Sequence, residues 1–418
     1  MLQTQVPEAN VPVFAQSKRH GSTRRCVLLG GSVALVAATS AGPTSATAAS
    51  GSTQDARPKG PTFYLAYTGC RTSRERNARG DGINMYRVEA ATGRWEHVQL
   101  LDGLVNPSFL ALDAAKRTLY TVHGDTSEVS SFRIDAETGR IAPLNQQSTL
   151  GKNPVHLAID PTGHFMVIAN HITVGDIKSS VVVLPIHEDG SLGEVVDHHV
   201  LTGKIGPHRV EQPFPKPHQI VFDPAGRFIA VPDKGLDLVW TFRLDEAGQL
   251  QAAQPPFVSA REASGPRHIA FHGQQPLAYV INELDSTVTS YKYKPADGSL
   301  KPFQIISSLL ENFTGNSRAS EIAISSDGRF VYASNRGFDS VAIFAVDPAT
   351  GWLRPVDYQR TIGKTPRFFA LSPDDRFMFV ANEESDTIVT YAVDPQTGKL
   401  VATGDSVTTG SPVCIVFG

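Results

Sequence analysis

Eight side chains able to exchange protons or hold anions fall on two positions of one repeated sequence unit. In each copy a Pro or Ala opens a short apolar run and a Gly/Asp turn follows. A second run ends near an Asn, and a third ends before a polar turn and Gly. Copies start at Pro107, Pro154, Pro217, Pro266, Ala319 and Pro366, and a seventh, one run long, starts at Pro412. The residue after the opening position is Ser108, Val155, His218, Arg267, Ser320, Arg367 or Val413. The residue after the second-run Asn position is Gly69, Gly124, His171, Lys234, Glu283, Arg336 or Glu383. Imidazoles and carboxylates act as acids or bases when their surroundings tune them. Guanidinium and ammonium groups grip carboxylates, phosphates or a developing oxyanion. His218, Arg267, Glu283 and Arg336 come from three successive copies and form the candidate catalytic group. His171, Lys234, Arg367 and Glu383 are candidates for substrate binding. The competing reading is a plug of paired charges with a purely structural task.

The runs that must carry these side chains are short, alternating and rich in Val, Ile, Phe and Tyr, as in EIAISSD, RFVYASN and VAIFAVD. That pattern predicts β-strands, and no window carries a long helical stripe. DPTG, DPAG, SSDG and SPDD separate the first and second strands; DAETG, DPATG and DPQTG separate the third from a weaker fourth. Asp bonds its own turn, Pro fixes φ and Gly takes the left-handed position. Four strands per copy, with starts 46 to 63 residues apart, fit the blades of a propeller. The final PVCIVFG supplies a first strand, and TFYLAYTG from Thr62 matches a second-strand position. The expected fold is therefore all-β: a seven-bladed β-propeller of four-stranded blades over residues 62–418, closed by the C-terminal strand joining the N-terminal blade. The longest interval holds LTGKIGPHRVEQPFPKPHQ, an insertion expected at a binding rim.

The chain has 418 residues with 38 Lys and Arg against 41 Asp and Glu, a formal charge of −3, which gives no electrostatic reason to expect nucleic acid. Its three cysteines, Cys26, Cys70 and Cys414, show no CxxC pairing, so a thiolate metal or iron–sulfur site is not expected. Residues 1–61 read as an export signal and disordered leader. Lys18, Arg19, Arg24 and Arg25 precede the uncharged CVLLGGSVALVAATSAG, and a cut after Ala48 fits. STRRCVL resembles a twin-arginine export signal, with Val27 where Phe is commonest and no following Lys. An ordinary secretory or membrane-anchoring segment is the alternative. The mature protein is expected to be periplasmic or secreted, monomeric and without a membrane span. An oxidising compartment could pair Cys70 with Cys414.

NPSFLALD at Asn106, PHQIVFDPAGRF at Pro217, GPRHIAF at Gly265, NEL at Asn282, SNRG at Ser334 and the terminal PVCIVFG together resemble the seven-bladed propeller lactonases. That family includes the propeller-type 6-phosphogluconolactonases and the carboxymuconate cyclases, and the resemblance covers residues 62–418. It implies a site of one His, two Arg and one Glu at His218, Arg267, Arg336 and Glu283. Lactone hydrolysis needs an aimed water and a stabilised oxyanion. Glu283 or His218 could take the proton, one arginine could face the oxyanion, and the other could hold a carboxylate or phosphate. The implied partner is a small anionic lactone of sugar-acid or muconate type. No cofactor and no metal are required, and the absence of GxSxG makes a serine hydrolase a poor fit. Ring closure rather than opening is one alternative. A non-catalytic binding propeller is another, since DSTVTSYKY and SDTIVTYAVD resemble repeats of surface propellers. A haem or quinone redox propeller is a weaker third, because the mature chain has no CxxCH.

Overall fold

The computed structural model describes residues 61–418. The export signal, its twin-arginine motif and Cys26 lie outside the described residues. The 28 strands of the described residues form seven four-stranded antiparallel sheets. The first blade combines Phe63–Cys70, Gly82–Glu89 and Trp95–Asp102 with Pro412–Phe417 as its inner strand, pairing Gly69 with Cys414 and Tyr67 with Val416. The first described strand and the last thus close the ring, as the truncated seventh repeat implies, and Pro412–Phe417 covers the edge that Phe63–Cys70 would otherwise leave open.

Each sheet is apolar on both faces and buries them against its neighbours, so the core is a series of interblade layers. One polar contact recurs across these layers. The hydroxyls of Tyr67, Tyr120, Tyr279 and Tyr332 donate to the carbonyls of Gly139, Gly190, Gly351 and Gly398 in the next blade, at 2.7 to 3.0 Å. Those glycines occupy the last turn of each repeat at φ between 70° and 87°. The repeat's turn chemistry therefore supplies acceptors for phenols that would otherwise be buried unpaired.

Six inner strands carry a register shift at or just after the position following the opening residue. Pro266 pairs with Asn282 but His268 with Ile281, and Pro366 pairs with Asn382 but Phe368 with Ala381. The extra residue, Arg267 or Arg367, is bulged out of the ladder, and the bulge re-aims it. Two expectations are corrected here. In the copy opening at Pro217 the inner strand is only Val221–Phe222, and Pro217 makes an isolated bridge to Asp233. Opposite it stands Pro232, which has no N–H for a ladder; its carbonyl still accepts the His218 amide at 2.9 Å. In the first blade Cys70, not Thr68, pairs with the opening proline, so the residue equivalent to Glu283 and Glu383 is Arg71 rather than Gly69.

Among the described residues, Cys70 and Cys414 are both buried, unpaired thiols. Cys414 Sγ instead accepts the Leu110 amide at 3.4 Å. No helix among the described residues is long and apolar enough to cross a membrane.

Candidate active site

The bulges bring successive residues of one strand onto the same axial cavity. Arg267 and His268, Arg367 and Phe368, and Ser108 and Phe109 all line it, together with Arg71, His218 and Glu321. The cavity is tight, with about 20 Å³ open to the centre of a water molecule, room for a single ordered water. Of the predicted residues, His218, Arg267 and Arg367 line this cavity. Glu283, Arg336, Lys234, His171 and Glu383 do not; they stand next to it and connect through ion pairs and ring contacts.

Glu283 is the hub of the first cluster. Its Oε2 lies 3.2 Å from Arg267 Nε and 3.3 Å from Arg336 Nη2, and its Oε1 lies 3.0 Å from Lys234 Nζ. Burial alone would raise this carboxyl, but Lys234, Arg336 and Arg267 outweigh it and hold it well below the usual carboxylate range. A carboxylate so held is a weak base. Lys234 is shared with Glu211 at 3.2 Å, and Glu211 also takes Arg318 at 2.7 Å. Glu211 belongs to the long insertion, which docks through Gln212 Nε2 on the Lys234 carbonyl at 2.8 Å. The second cluster pairs Glu383 with Arg71 at 3.0 Å and more loosely with Arg367 at 3.9 Å. The Arg367 guanidinium makes no hydrogen bond among the described residues. Burial, then Arg336 and Arg367, bring Arg267 down to about 9, and burial, then Arg367, does the same to Arg71, so both remain cations at neutral pH.

His218 is buried, and burial followed by Arg267, His171 and His268 keeps it well below the ordinary imidazole range. It is therefore neutral near pH 7 and, like Glu283, a weaker base than the free side chain; unlike Glu283, it lines the cavity. His171, also neutral with its pKa lowered to about 3, mainly by burial, bonds through Nδ1 to the Pro217 carbonyl at 3.0 Å and packs edge-on against His218 at 5.1 Å. That contact fixes the His218 ring where the inner strand has no ladder to hold it.

Two residues behind His218 were not anticipated. His218 Nδ1 lies 3.2 Å from His268 Nε2, and His268 Nδ1 lies 2.9 Å from Glu321 Oε1. Strict alternation would turn His268 and Glu321 away from Arg267 and Ser320; the bulge cancels that alternation. The available signal was a charged residue inside each apolar run, in GPRHIAF and RASEIAI.

A profile described as "Lactonase, 7-bladed beta-propeller" matches residues 65–417. The chain belongs to this family. The propeller lactonase is 32% identical over 358 residues to a 6-phosphogluconolactonase of Bacillus subtilis, covering 85% of this chain and 99% of that protein. A 6-phosphogluconolactonase of Formosa agariphila is 30% identical over 302 residues, 70% of this chain and 82% of its own. Among solved structures, the periplasmic gluconolactonase of Pseudomonas aeruginosa superposes with a TM-score of 0.78 at 34% identity, covering 85% of this lactonase and 99% of that chain. Among the described residues of the lactonase, no group of three or more His, Cys, Asp or Glu is arranged to hold a metal ion.

Proposed function

We propose that this propeller lactonase hydrolyses a small sugar-acid lactone bearing an anionic group, with His218 as general base. The observation that carries the reading is a neutral imidazole sharing one water-sized cavity with the guanidiniums of Arg267 and Arg367. His218 Nε2 has no hydrogen-bond partner among the described residues. The cavity holds only one water, so the lactone must widen it on binding; a water on His218 Nε2 then loses its proton to that nitrogen as its oxygen bonds to the lactone carbonyl carbon. Arg267 stabilises the oxyanion that forms. Collapse breaks the ring C–O bond, and the departing alkoxide recovers the proton from His218, giving the open hydroxy acid.

Glu283 contributes by orienting Arg267, Arg336 and Lys234 rather than by taking the proton. Arg367, bonded to nothing stronger than a carboxylate at 3.9 Å, is available to hold the anionic group of the substrate. The names of the relatives support a six-carbon sugar-acid lactone, and the surplus of cations around the cavity supports an anionic one. The twin-arginine pattern and the likeness to a periplasmic gluconolactonase support action outside the cytoplasm.

Purified protein should open 6-phospho-δ-gluconolactone with a higher kcat/KM than δ-gluconolactone, and muconolactone is the comparison for the cyclase-type chemistry. Absence of turnover on all three, with the fold intact, would refute the hydrolase reading and favour a binding propeller.

A further inference from the structure

We propose that His268 and Glu321 form a proton relay behind His218, so that the proton taken from the attacking water comes to rest on the Glu321 carboxylate. The relay rests on the hydrolytic reading, but its geometry can be tested without turnover.

Hydrogen-bond directions follow from one group that can only donate. Arg267 Nη1 donates to His268 Nε2 at 3.3 Å and to the Ser320 carbonyl at 2.7 Å. His268 Nε2 must then be an acceptor, and its single ring proton sits on Nδ1 and points to Glu321 Oε1 at 2.9 Å. His218 Nδ1, 3.2 Å from the same His268 nitrogen, can bond to it only as a donor, sharing its one lone pair with Arg267. Each neutral ring carries one such proton, so His218 Nε2 is bare, the tautomer a base facing the cavity requires.

The step balances as three coupled transfers. His218 Nε2 gains a proton from water while its Nδ1 proton moves to His268 Nε2, and Arg267 Nη1 gives up its long contact with that nitrogen and keeps its bond to the Ser320 carbonyl. The His268 Nδ1 proton moves to Glu321 Oε1, and a carboxylate becomes a carboxylic acid. Neither ring keeps a positive charge, which matters because Arg267 and Arg367 already disfavour an imidazolium at both positions. The return path protonates the leaving alkoxide by the reverse shifts.

Glu321 is suited to the task. It is buried, its Oε2 has no hydrogen-bond partner among the described residues, and Oε1 also accepts the Ile322 amide at 3.0 Å. Burial pushes its carboxyl up to about 7, against the pull of Arg267, the Ile322 amide and Arg367. The groups facing the relay are Arg267, Arg367, Arg336 and Glu283, with His171 edge-on to His218, His156 edge-on to His268 at 5.8 Å, and the Cys414 thiol, which burial and then Glu321 keep protonated. His156 is held neutral, chiefly by burial and then by His268 and Arg267, and Glu283 stays ionised, so Glu321 is the group of this set that changes charge near neutral pH.

The test pairs histidine-selective ¹⁵N NMR with kinetics on the full mature protein and its Glu321→Gln and Glu321→Asp variants. In the wild type, His218 and His268 should both show protonated Nδ1 and bare Nε2 from pH 6 to 8. A proton on His218 Nε2, or an imidazolium at either position in that range, overturns the relay whether or not any lactone is turned over. With δ-gluconolactone or its 6-phosphate, Glu321→Gln keeps an acceptor for His268 but cannot take the proton. It should lower kcat about 100-fold with KM nearly unchanged and remove an acidic limb near pH 7, with partial rescue in Glu321→Asp. Unchanged kcat and pH profile in Glu321→Gln, in a folded enzyme that still turns over, would also overturn it.

Discussion

The Glu283 carboxylate lies 3.2 Å from the Arg267 guanidinium, with their side chains only 5% and 4% exposed. Removing one member of so buried a pair leaves the other charged and unsolvated, a loss of about 3–5 kcal/mol. Glu283→Gln should therefore lower Tm at pH 7. The sign with pH follows from its depressed folded value. Stability from this group is complete above the unfolded value near 4.5 and disappears as pH falls through the lower folded value. The Tm gap between wild type and Glu283→Gln should be widest at pH 7 and narrow below pH 4.5. A gap of equal size at pH 3 and pH 7 would contradict this.

His218→Asn preserves size and polarity but removes the base. Lactone turnover should fall about 100- to 10,000-fold in kcat with a small change in KM. Because His218 is neutral throughout the physiological range, its own protonation should not appear in the kcat/KM profile above pH 6. A larger loss on Glu283→Gln than on His218→Asn, in folded protein, would return the base assignment to the carboxylate.

Arg71→Met tests the corrected register of the first blade. Arg71 lines the cavity, and its Nη1 is buried without a hydrogen bond among the described residues. Its loss should lower kcat/KM for 6-phospho-δ-gluconolactone about tenfold and leave the unphosphorylated lactone nearly unaffected, as expected for one charge-assisted contact. An equal loss on both substrates would assign Arg71 to the structure of the ring instead.

The ring, its closure and its two charged positions were legible because they repeat. Turn residues at fixed offsets mark every blade, and Glu283, Arg336 and Glu383 each follow an Asn at or near the end of a strand. Arg71 was missed because the first blade has Cys70 at the position where four other copies have Asn. His268 and Glu321 were missed for a different reason. Alternation assigns them to the face opposite Arg267 and Ser320, and a β-bulge is a backbone event that side-chain periodicity does not encode. Glu211 lies in the insertion, where no repeat supplies a register, so only the folded chain shows it reaching Lys234.

That insertion gives the last prediction. Gln212 is 1% exposed; its Oε1 accepts the His208 amide at 3.0 Å and its Nε2 donates to the Lys234 carbonyl at 2.8 Å. Gly206 lies against the Gln212 amide, where an added Cβ would come within 2.3 Å of it, so the segment closes tightly over this one side chain. Gln212→Ala leaves both backbone groups unpaired, about 1–3 kcal/mol each, and both belong to the docking of the insertion rather than to the blades. Hydrogen exchange should accelerate at Gly206, His208 and Gly235, while Ile229–Asp233 keeps its protection and the global Tm moves by a few degrees. Glu211 would then leave Lys234 and Arg318, adding uncompensated positive charge beside the cavity. KM for an anionic lactone should change more than kcat. If exchange accelerates equally in the blade strands, the insertion is part of the cooperative core, and its separate docking is refuted.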